Sequence, residues 1–278
     1  MTTTLRPAGP EERLPDGGRG RRWLVCANGR PVGGLHTSAH PHGARCTGRI
    51  DHLEITEGRR RGRGTVAALA AEEVLRSWGC YRVEVTVPVE STEALALAHL
   101  LGYTETNRKL AKELRQPPAP APNLTVRPIS AADFPQWLAA TKAEYRAHLV
   151  LAGLTERQAH ERCEADHAQL LAAGPATPGV ALRRLLAHGE PVGSLWLALH
   201  DGRLADGRPL AWVMTVEVDA HARGNGYGRE LMLTAERECL AAGIRDLGLN
   251  VYTANEPALR LYASLGYRIT RRVLAKPL

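Results

Sequence analysis

The sequence predicts a mixed α/β protein built from two tandem domains with the same order of elements. Three observations support this prediction: the length, a proline-rich spacer and an internal repeat. A chain of 278 residues with 44% hydrophobic content is long enough for two compact domains. Residues 116–123 read Gln-Pro-Pro-Ala-Pro-Ala-Pro-Asn, which is typical of a semi-rigid linker. We therefore expect one domain at 1–115 and another at 124–278.

The two halves of the chain match each other at a constant offset of 164 residues. The offset joins identical residues along the later part of each half: Gly62 with Gly226, Gly64 with Gly228, Ala71-Glu72 with Ala235-Glu236, Gly79 with Gly243, Leu101-Gly102-Tyr103 with Leu265-Gly266-Tyr267, and Leu110-Ala111-Lys112 with Leu274-Ala275-Lys276. A gapless match of this kind indicates a duplication.

The spacing of apolar residues predicts the elements of the second half in order. They are a strand at 124–129, helices at 131–151 and 155–172, strands at 180–187, 192–199 and 210–218, a helix at 229–242, a strand at 246–252, a helix at 256–264 and a strand at 267–275. Gly243 is a natural C-terminal cap for the third helix. The first half repeats the pattern from about Arg22, but residues 1–21 contain too few apolar positions for two helices. The first domain is therefore predicted to be shortened and degenerate.

Composition narrows the class of protein. A net charge of +7 and a pI near 9.4 favour a polyanionic partner such as coenzyme A, nucleic acid or an acidic carrier. The five scattered cysteines and the pair His40 and His42 lack the spacing of a disulfide framework or a metal site, so we expect no metal. No apolar run is long enough to span a membrane, and residues Met1 to Pro10 lack a basic region followed by an apolar stretch. Both features predict a soluble, cytoplasmic protein without a membrane partner. The composition indicates no particular oligomeric state.

A glycine-rich loop lies between a predicted strand and a predicted helix. It reads Arg223-Gly224-Asn225-Gly226-Tyr227-Gly228. Free backbone amides and the positive end of the helix dipole favour a pyrophosphate at such a turn, and Arg223 can add a charged contact. The loop follows a late strand, unlike a dinucleotide-binding fingerprint, and no Gly-Lys-Ser or Gly-Lys-Thr follows it, unlike a Walker loop.

The Arg-x-x-Gly-x-Gly pattern of this loop resembles the acetyl-CoA signature of Gcn5-related N-acetyltransferases (GNAT). The segment from Asn250 to Tyr267 resembles the second signature of that family, and the resemblance extends over 124–278. It implies an acyl-CoA-dependent N-acyltransferase of class EC 2.3.1. Acetyl-CoA would be the cosubstrate and an amine of a small molecule the acceptor.

The resemblance also implies roles for residues around the loop. Tyr262 would protonate the departing thiolate, unless it is only a packing tyrosine, and Glu217 would accept the amine proton, unless it forms a structural salt bridge. The main chains of Val216 and Val218 would bind the pantetheine arm and the thioester carbonyl. Asn255 would contact the pantetheine, or would cap the following helix.

The acceptor is expected against the two helices between 131 and 172 and against Trp196. Glu144, Tyr145 and His148 share one helical face, which could receive a cationic amine or could be a solvated surface.

The first half carries a second loop of the same pattern. Arg59, Arg61, Gly62, Arg63 and Gly64 could hold a second CoA, although an arginine cluster is often only a solvated face. Subtracting 164 leads from Asn255 to Ser91 and from Tyr262 to Ala98. It leads from Glu217 to a position one residue from Glu54, a difference that a strand bulge could absorb. We therefore interpret the first domain as non-catalytic or weakly catalytic, with a structural, regulatory or acceptor-shaping role.

Two other functions fit parts of the sequence. The basic charge and the double-domain layout would suit an acyltransferase that uses aminoacyl-tRNA, but the intact CoA signature argues against tRNA. A protein that binds acyl-CoA without turnover is disfavoured by the presence of Tyr262 and Glu217.

Overall fold

A computed structural model describes residues 2–42, 45–58, 61–151, 154–204 and 206–278. The strands are β1 Thr3–Pro7, β2 Glu12–Arg13, β3 Arg19–Ala27, β4 Arg30–His42, β5 Arg45–Ile55, β6 Cys80–Pro88, β7 Thr104–Glu113, β8 Leu124–Pro128, β9 Val180–Ala187, β10 Glu190–Arg203, β11 Pro209–Val218, β12 Asp246–Tyr252 and β13 Arg268–Pro277. The helices are α1 Arg63–Ser77, α2 Thr92–Leu100, α3 Phe134–Leu151, α4 Glu156–Leu170, α5 Tyr227–Ala241 and α6 Glu256–Ser264. Within the described ranges, none of these helices has both the length and the apolar composition that a bilayer crossing requires.

Two compact units divide the chain differently from the predicted boundaries. Unit 1 contains residues 1–108, 153–155 and 271–278, and unit 2 contains residues 109–152 and 156–270. The end of the chain therefore belongs to unit 1, and the segment before the proline-rich linker belongs to unit 2. The boundaries of the units differ from the predicted ones because long-range strand pairing and packing decide which segments join each unit. No local sequence pattern encodes that pairing.

Unit 1 is a sheet covered by α1. Its strand order is β1-β3-β4-β5-β6-β13, with β2 paired to β3. Strands β5 and β6 are parallel, and residues 271–277 of β13 pair antiparallel with β6. The core beneath α1 includes Val25, Leu75, Val83 and Leu274, each fully buried. As the sequence predicts, the described residues before α1 form strands and no helix.

Unit 2 has the strand order β7-β12-β11-β10-β9-β8. Successive side chains of β10 point to opposite faces of this sheet, as they do along any strand. Leu195 and Leu197 pack into the main core, which also contains Leu231 of α5. Trp196 points to the other face, where it packs with Trp137 of α3 in a second cluster. Helix α5 and the α3–α4 pair thus contribute to cores on opposite faces of the sheet.

The predicted elements of the second half agree closely with those observed, and three have the predicted bounds: β9, β12 and α6. Strand β10 begins two residues before its predicted start because the hairpin ahead of it is only two residues long, and it extends beyond its predicted end at 199 to Arg203. His188 and Gly189 have φ of 52° and 87°, and Asn28 and Gly29 have φ of 48° and 79° at the matching turn of unit 1. Two successive positive φ values are the requirement of a tight type I′ hairpin, so pairing starts immediately after the turn.

Candidate active site

Strands β11 and β12 separate from each other at their carboxyl ends. Their parallel register extends from Leu210 opposite Asp246 only as far as Val213 opposite Leu249. Strand β11 nevertheless continues to Val218 and β12 to Tyr252. The last residues of the two strands therefore flank an opening in the sheet of unit 2, where the end of β11 has no described strand partner on the side of β12.

A bulge at Met214 sets the direction of the side chains beside this opening. Trp196 of β10 pairs with Thr215 and Leu197 pairs with Val213, so Met214 is an extra residue on β11. Because of this insertion, Val213 packs into the main core and Val216 does so as well. Without it, Glu217 would share the face of Val213 and point into the core. The bulge turns Glu217 towards the face that carries α3.

The glycine-rich loop forms a tight turn into α5. Gly224 and Gly226 have φ of 85° and 80°, and Gly226 is the N-cap of the helix. A Cβ on Gly228 would lie 3.3 Å from Cδ2 of Leu261, so glycine allows α5 and α6 to approach. Helix α5 begins at Tyr227, two residues before the predicted start. Among the described residues, the N–H groups of Gly224, Asn225 and Gly226 have no backbone acceptor. Such a turn is suited to an anion.

Side chains of the loop brace the turn itself. Arg223 donates from Nε to the carbonyl of Val218 at 3.2 Å, and Asn225 donates from Nδ2 to the carbonyl of Ala222 at 3.1 Å. Arg223 is exposed, and its two terminal nitrogens have no partner in the described part of the chain. The Arg223 contact also occupies a carbonyl that the sequence assigned to the pantetheine arm.

Glu217 is half-buried and forms no hydrogen bond or ion pair with any described residue. The alternative of a structural salt bridge therefore has no support. Burial raises the pKa of this carboxyl, and the negative charges of Glu144 and Asp219 raise it further. Arg184 and Arg223 oppose the shift with their positive charge. A raised pKa makes this carboxylate a stronger base than an ordinary glutamate, which suits a proton acceptor.

Tyr262 lies on α6 with only 9% of its surface exposed. Its ring centroid is 6.0 Å from that of Tyr267 in an edge arrangement, and its hydroxyl makes no hydrogen bond to a described residue. Burial raises the pKa of Tyr262, so the phenol keeps its proton at neutral pH. A protonated phenol can act as a donor to a thiolate.

Asn255 is the N-cap of α6. Its Oδ1 accepts a hydrogen bond from the backbone N–H of Ala258 at 3.2 Å. This is the capping role that the sequence left open as the alternative to a pantetheine contact.

The three polar residues predicted on one face of α3 have different surroundings. Glu144 is close enough to Glu217 for its charge to raise the pKa of that residue. His148 lies near Tyr252 at the end of β12, with ring centroids 6.2 Å apart and ring planes tilted by 58°. Tyr145 instead donates to Asp166 of α4 at 2.7 Å. Helix α3 thus brings Glu144 and His148 to the opening between β11 and β12.

Trp196 was expected to line the acceptor site, and this expectation is wrong. It is only 4% exposed and packs edge-on against Trp137, with ring centroids 5.8 Å apart. Trp137 donates from Nε1 to Oγ of Ser194, the residue directly opposite Glu217 on β10.

Sequence reasoning missed Tyr252 as an exposed residue of the site, although it lies inside the second signature.

The loop of unit 1 leads into its helix through a left-handed glycine, as the loop of unit 2 does, but Arg61 and Arg63 stand where unit 2 has Asn225 and Tyr227. Gly62 is the N-cap of α1 with φ 71°, and a Cβ on Gly64 would lie 3.6 Å from Leu97. Arg59 lies outside the described residues. Arg63 donates to the carbonyl of Glu57 at 2.8 Å, so part of its guanidinium is engaged within the loop. Arg61 is exposed.

The neighbouring strands of unit 1 identify Glu54 as the counterpart of Glu217. Glu54 lies opposite Gly34, as Glu217 lies opposite Ser194, and both partners follow a Pro-Val-Gly sequence. A Cβ on Gly33 would collide with the Glu54 carbonyl oxygen. Both strands carry one extra residue ahead of the glutamate, so these bulges do not account for the discrepancy of one residue in the repeat. The discrepancy arises after the glutamate, since Gly62 follows Glu54 by 8 positions and Gly226 follows Glu217 by 9. Glu54 is exposed, unlike Glu217.

Comparison with known sequences assigns the family. The profile of the acetyltransferase (GNAT) family matches residues 3–103 and 141–267. The chain is 28% identical over 260 residues to the mycothiol acetyltransferase of Thermomonospora curvata, covering 90% of this chain and 80% of that protein. It is 29% identical over 280 residues to the mycothiol acetyltransferase of Nocardiopsis dassonvillei, covering 90% and 79%.

Solved structures share the fold. A GCN5-related N-acetyltransferase from Sphaerobacter thermophilus aligns with a TM-score of 0.62 and 20% identity, covering 92% of this chain and 80% of that one. A tandem GNAT protein from the clavulanic acid biosynthesis pathway aligns with a TM-score of 0.56 and 19% identity, covering 95% and 84%. The family uses acetyl-CoA as a cosubstrate. The chain belongs to the acetyltransferase (GNAT) family and is an acyl-CoA-dependent N-acyltransferase with two GNAT repeats in tandem.

Proposed function

We propose that unit 2 transfers the acetyl group of acetyl-CoA to an amine of a small molecule by direct attack. One observation carries the proposal: both units contain the glycine-rich loop, but only unit 2 has a phenol that can protonate the leaving thiolate. The tyrosine is Tyr262, and the residue at the equivalent position of unit 1 is Ala98. The half-buried carboxylate of Glu217, which pairs with no described residue, supports the same assignment.

The proposed path of acetyl-CoA follows the backbone. The pyrophosphate would rest on the amides of residues 224–228, where the dipole of α5 adds to the attraction. Arg223 would contact the phosphate through its terminal nitrogens. The pantetheine arm would then lie along Val216 and Val218, in the opening between β11 and β12. Asn255 would act on this path through the start of α6.

The reaction needs one base and one acid. The acceptor loses one proton when its ammonium group becomes a free amine, and a second after the nitrogen lone pair has attacked the thioester carbonyl. Glu217 accepts each proton in turn and passes it to solvent. When the tetrahedral intermediate collapses, the C–S bond breaks and the sulfur takes the proton of the Tyr262 hydroxyl. The phenolate is then reprotonated from solvent. The products are the amide, free CoA and one proton released to solvent.

The charges around Glu217 favour an acceptor that enters as a cation. Glu144 and Asp219 both raise the pKa of Glu217, so their negative charge is felt at the base. The same charge attracts an ammonium group before it loses its proton. Since two relatives are named mycothiol acetyltransferases, amines related to mycothiol are the first acceptors to assay.

Unit 1 is proposed to be non-catalytic. Its loop retains the left-handed glycine at the start of α1, so a second CoA could bind there without reacting. Stoichiometry measured by calorimetry with CoA distinguishes two sites from one.

Thiol release from acetyl-CoA in the presence of a panel of amines tests the assignment. We expect Tyr262→Phe and Glu217→Gln each to lower kcat by about 100-fold, the usual effect of losing a general acid or base. Glu54→Gln is the matched control in unit 1 and is expected to retain activity. Loss of activity in Glu54→Gln alone would assign the chemistry to unit 1.

Two other outcomes would favour the rival functions. Transfer from aminoacyl-tRNA without any use of acetyl-CoA would favour the tRNA-dependent alternative. Tight binding of acetyl-CoA without turnover on any amine would favour a binding protein.

A further inference from the structure

We propose that Cys46 and Cys80 of unit 1 form a reversible disulfide by exchange with a small-molecule disulfide that enters an adjacent cleft. This dithiol site is separate from the acetyl-transfer site. It rests on the relative position of the two thiols, on their unequal exposure and on the cleft beside one of them.

The two cysteines face each other at the start of neighbouring parallel strands. Cys46 of β5 is the direct partner of Cys80 of β6. Paired strands lie about 4.8 Å apart, which is within the Cα separation that a disulfide requires. Directly opposed residues project to the same face of a sheet. The two Sγ atoms are accordingly in contact, 2.8 Å apart.

The exposure of the two thiols differs. Cys80 is 5% exposed, whereas Cys46 is only half-buried. Burial raises the pKa of the Cys80 thiol, the contact with Cys46 adds to this, and the positive charge of Arg19 opposes it. Cys46 is therefore the thiol that meets an incoming reagent, and Cys80 is the thiol that reacts second.

A cleft in unit 1 gives access to Cys46. Its volume is about 580 Å³, and its lining includes Glu11, Arg13, Arg19, Cys46 and Trp78 but not Cys80. The guanidinium of Arg19 lies 4.7 Å from the ring centroid of Trp78 and donates to its backbone carbonyl at 3.3 Å. The stacked side chains of Arg19 and Trp78 therefore line the cleft next to Cys46. The cleft is large enough for a compound of a few heavy atoms.

The pair is particular to unit 1. The repeat offset leads from Cys46 and Cys80 to Leu210 and Ile244, which carry no thiol. The other three cysteines have no more than 1% of their surface exposed, and they are Cys26, Cys163 and Cys239. The dithiol therefore does not belong to the architecture that the two repeats share.

The exchange proceeds in two steps. The Cys46 thiolate attacks one sulfur of the small disulfide, the S–S bond breaks and one small thiol leaves. The Cys80 thiolate then attacks Sγ of Cys46 in the mixed disulfide and releases the second small thiol. Two electrons and two protons pass from the protein dithiol to the small disulfide, which is reduced to two thiols.

The test uses the full chain equilibrated with mixtures of bis(2-hydroxyethyl) disulfide and 2-mercaptoethanol, quenched with acid, alkylated and mapped by mass spectrometry. We expect the peptides of Cys46 and Cys80 to become linked, with loss of two hydrogen atoms, and to separate again as the thiol fraction rises. Cys46→Ser and Cys80→Ser should abolish the linkage, and the matched control Cys26→Ser should retain it.

Two results overturn the proposal. One is that Cys46 and Cys80 both remain open to alkylation at the oxidising end of the series. The other is that Cys46 stops at the mixed disulfide and never links to Cys80. Cys46→Ala provides a second variant in case the serine variant folds poorly, and circular dichroism of each variant checks the fold.

Discussion

Lys276 donates a hydrogen bond to the carboxylate of Glu72 at 2.8 Å, although 204 residues separate them in the chain. Tyr103 donates to the same carboxylate at 2.9 Å. Unit 2 contains the equivalent contact, in which Lys112 donates to Glu236 at 2.6 Å. In each unit the glutamate comes from one repeat and the lysine from the final strand of the other repeat. The sheet of each unit is therefore completed by a segment from the other half of the sequence.

Removing this lysine should destabilise unit 1. The Glu72 side chain is 4% exposed, so Lys276→Met leaves a buried carboxylate without its cation, at a cost on the order of 3 kcal/mol. Glu72→Gln combined with Lys276→Met should be less destabilising than Lys276→Met alone, because the amide carries no charge. Urea unfolding of the two single variants and the double variant measures the coupling. Additive effects would contradict a direct interaction.

Deleting residues 271–278 should unfold the sheet of unit 1, although most of that unit lies in the first 108 residues. The deletion removes the antiparallel partner of β6 and the fully buried Leu274. Hydrogen exchange should become fast in β6 and remain slow in β10. A synthetic peptide of residues 271–278 should restore part of the protection. Unchanged protection of β6 after the deletion would show that unit 1 is stable without this strand.

The acidic limb of the pH–rate profile should report Glu217. A base must be deprotonated, and a raised pKa moves the limb to higher pH than an ordinary glutamate would give. Glu144→Gln removes a negative charge and should move the limb to lower pH. Arg184→Gln removes a positive charge and should move it to higher pH. Profiles of kcat/KM measure both shifts, and movement in the same direction would argue against Glu217 as the titrating group.

The two helix-capping glycines offer a matched comparison. Gly226 and Gly62 both have positive φ and open space where the methyl group of an alanine would lie, so alanine strains each turn by about 1 kcal/mol without a steric clash. Gly226→Ala should raise KM for acetyl-CoA, since the amides around it are the proposed phosphate contacts. Gly62→Ala should leave the kinetics of transfer unchanged and should lower only the affinity of a second CoA. Steady-state kinetics and calorimetry separate these effects.

Asn255 and Ser91 occupy equivalent N-cap positions but behave differently. Asn255→Ala should cost about 1 kcal/mol, because it removes the hydrogen bond to Ala258. Ser91→Ala should be nearly neutral, because the Ser91 side chain makes no capping bond. Asn255→Ser retains an acceptor oxygen and should recover most of the stability. If Asn255→Ser is as stable as the wild type but has a higher KM for acetyl-CoA, Asn255 also contacts the pantetheine.

Much of the architecture is local and could be predicted. The runs and spacing of apolar residues predicted β9, β12 and α6 with the observed bounds, because burial against the core decides those elements. The glycine-rich loop was recognisable because a left-handed turn ahead of a helix needs glycine at Gly226. Trp196 shows the limit of this reasoning. An aromatic residue on a strand can line a site or fill a core, and only the packing of α3 decides between them.

The sequence by itself determined the duplication, the glycine-rich turn and the alanine that stands in the first repeat where the second has Tyr262, since these depend on residue identity at short spacing. Tertiary structure decided which strand completes each unit, which face Glu217 occupies and which cysteines meet. Those three outcomes depend on strand partners that lie far apart in the chain. The bulge at Met214 is the clearest case, because one extra residue relative to β10 turns Glu217 away from the core.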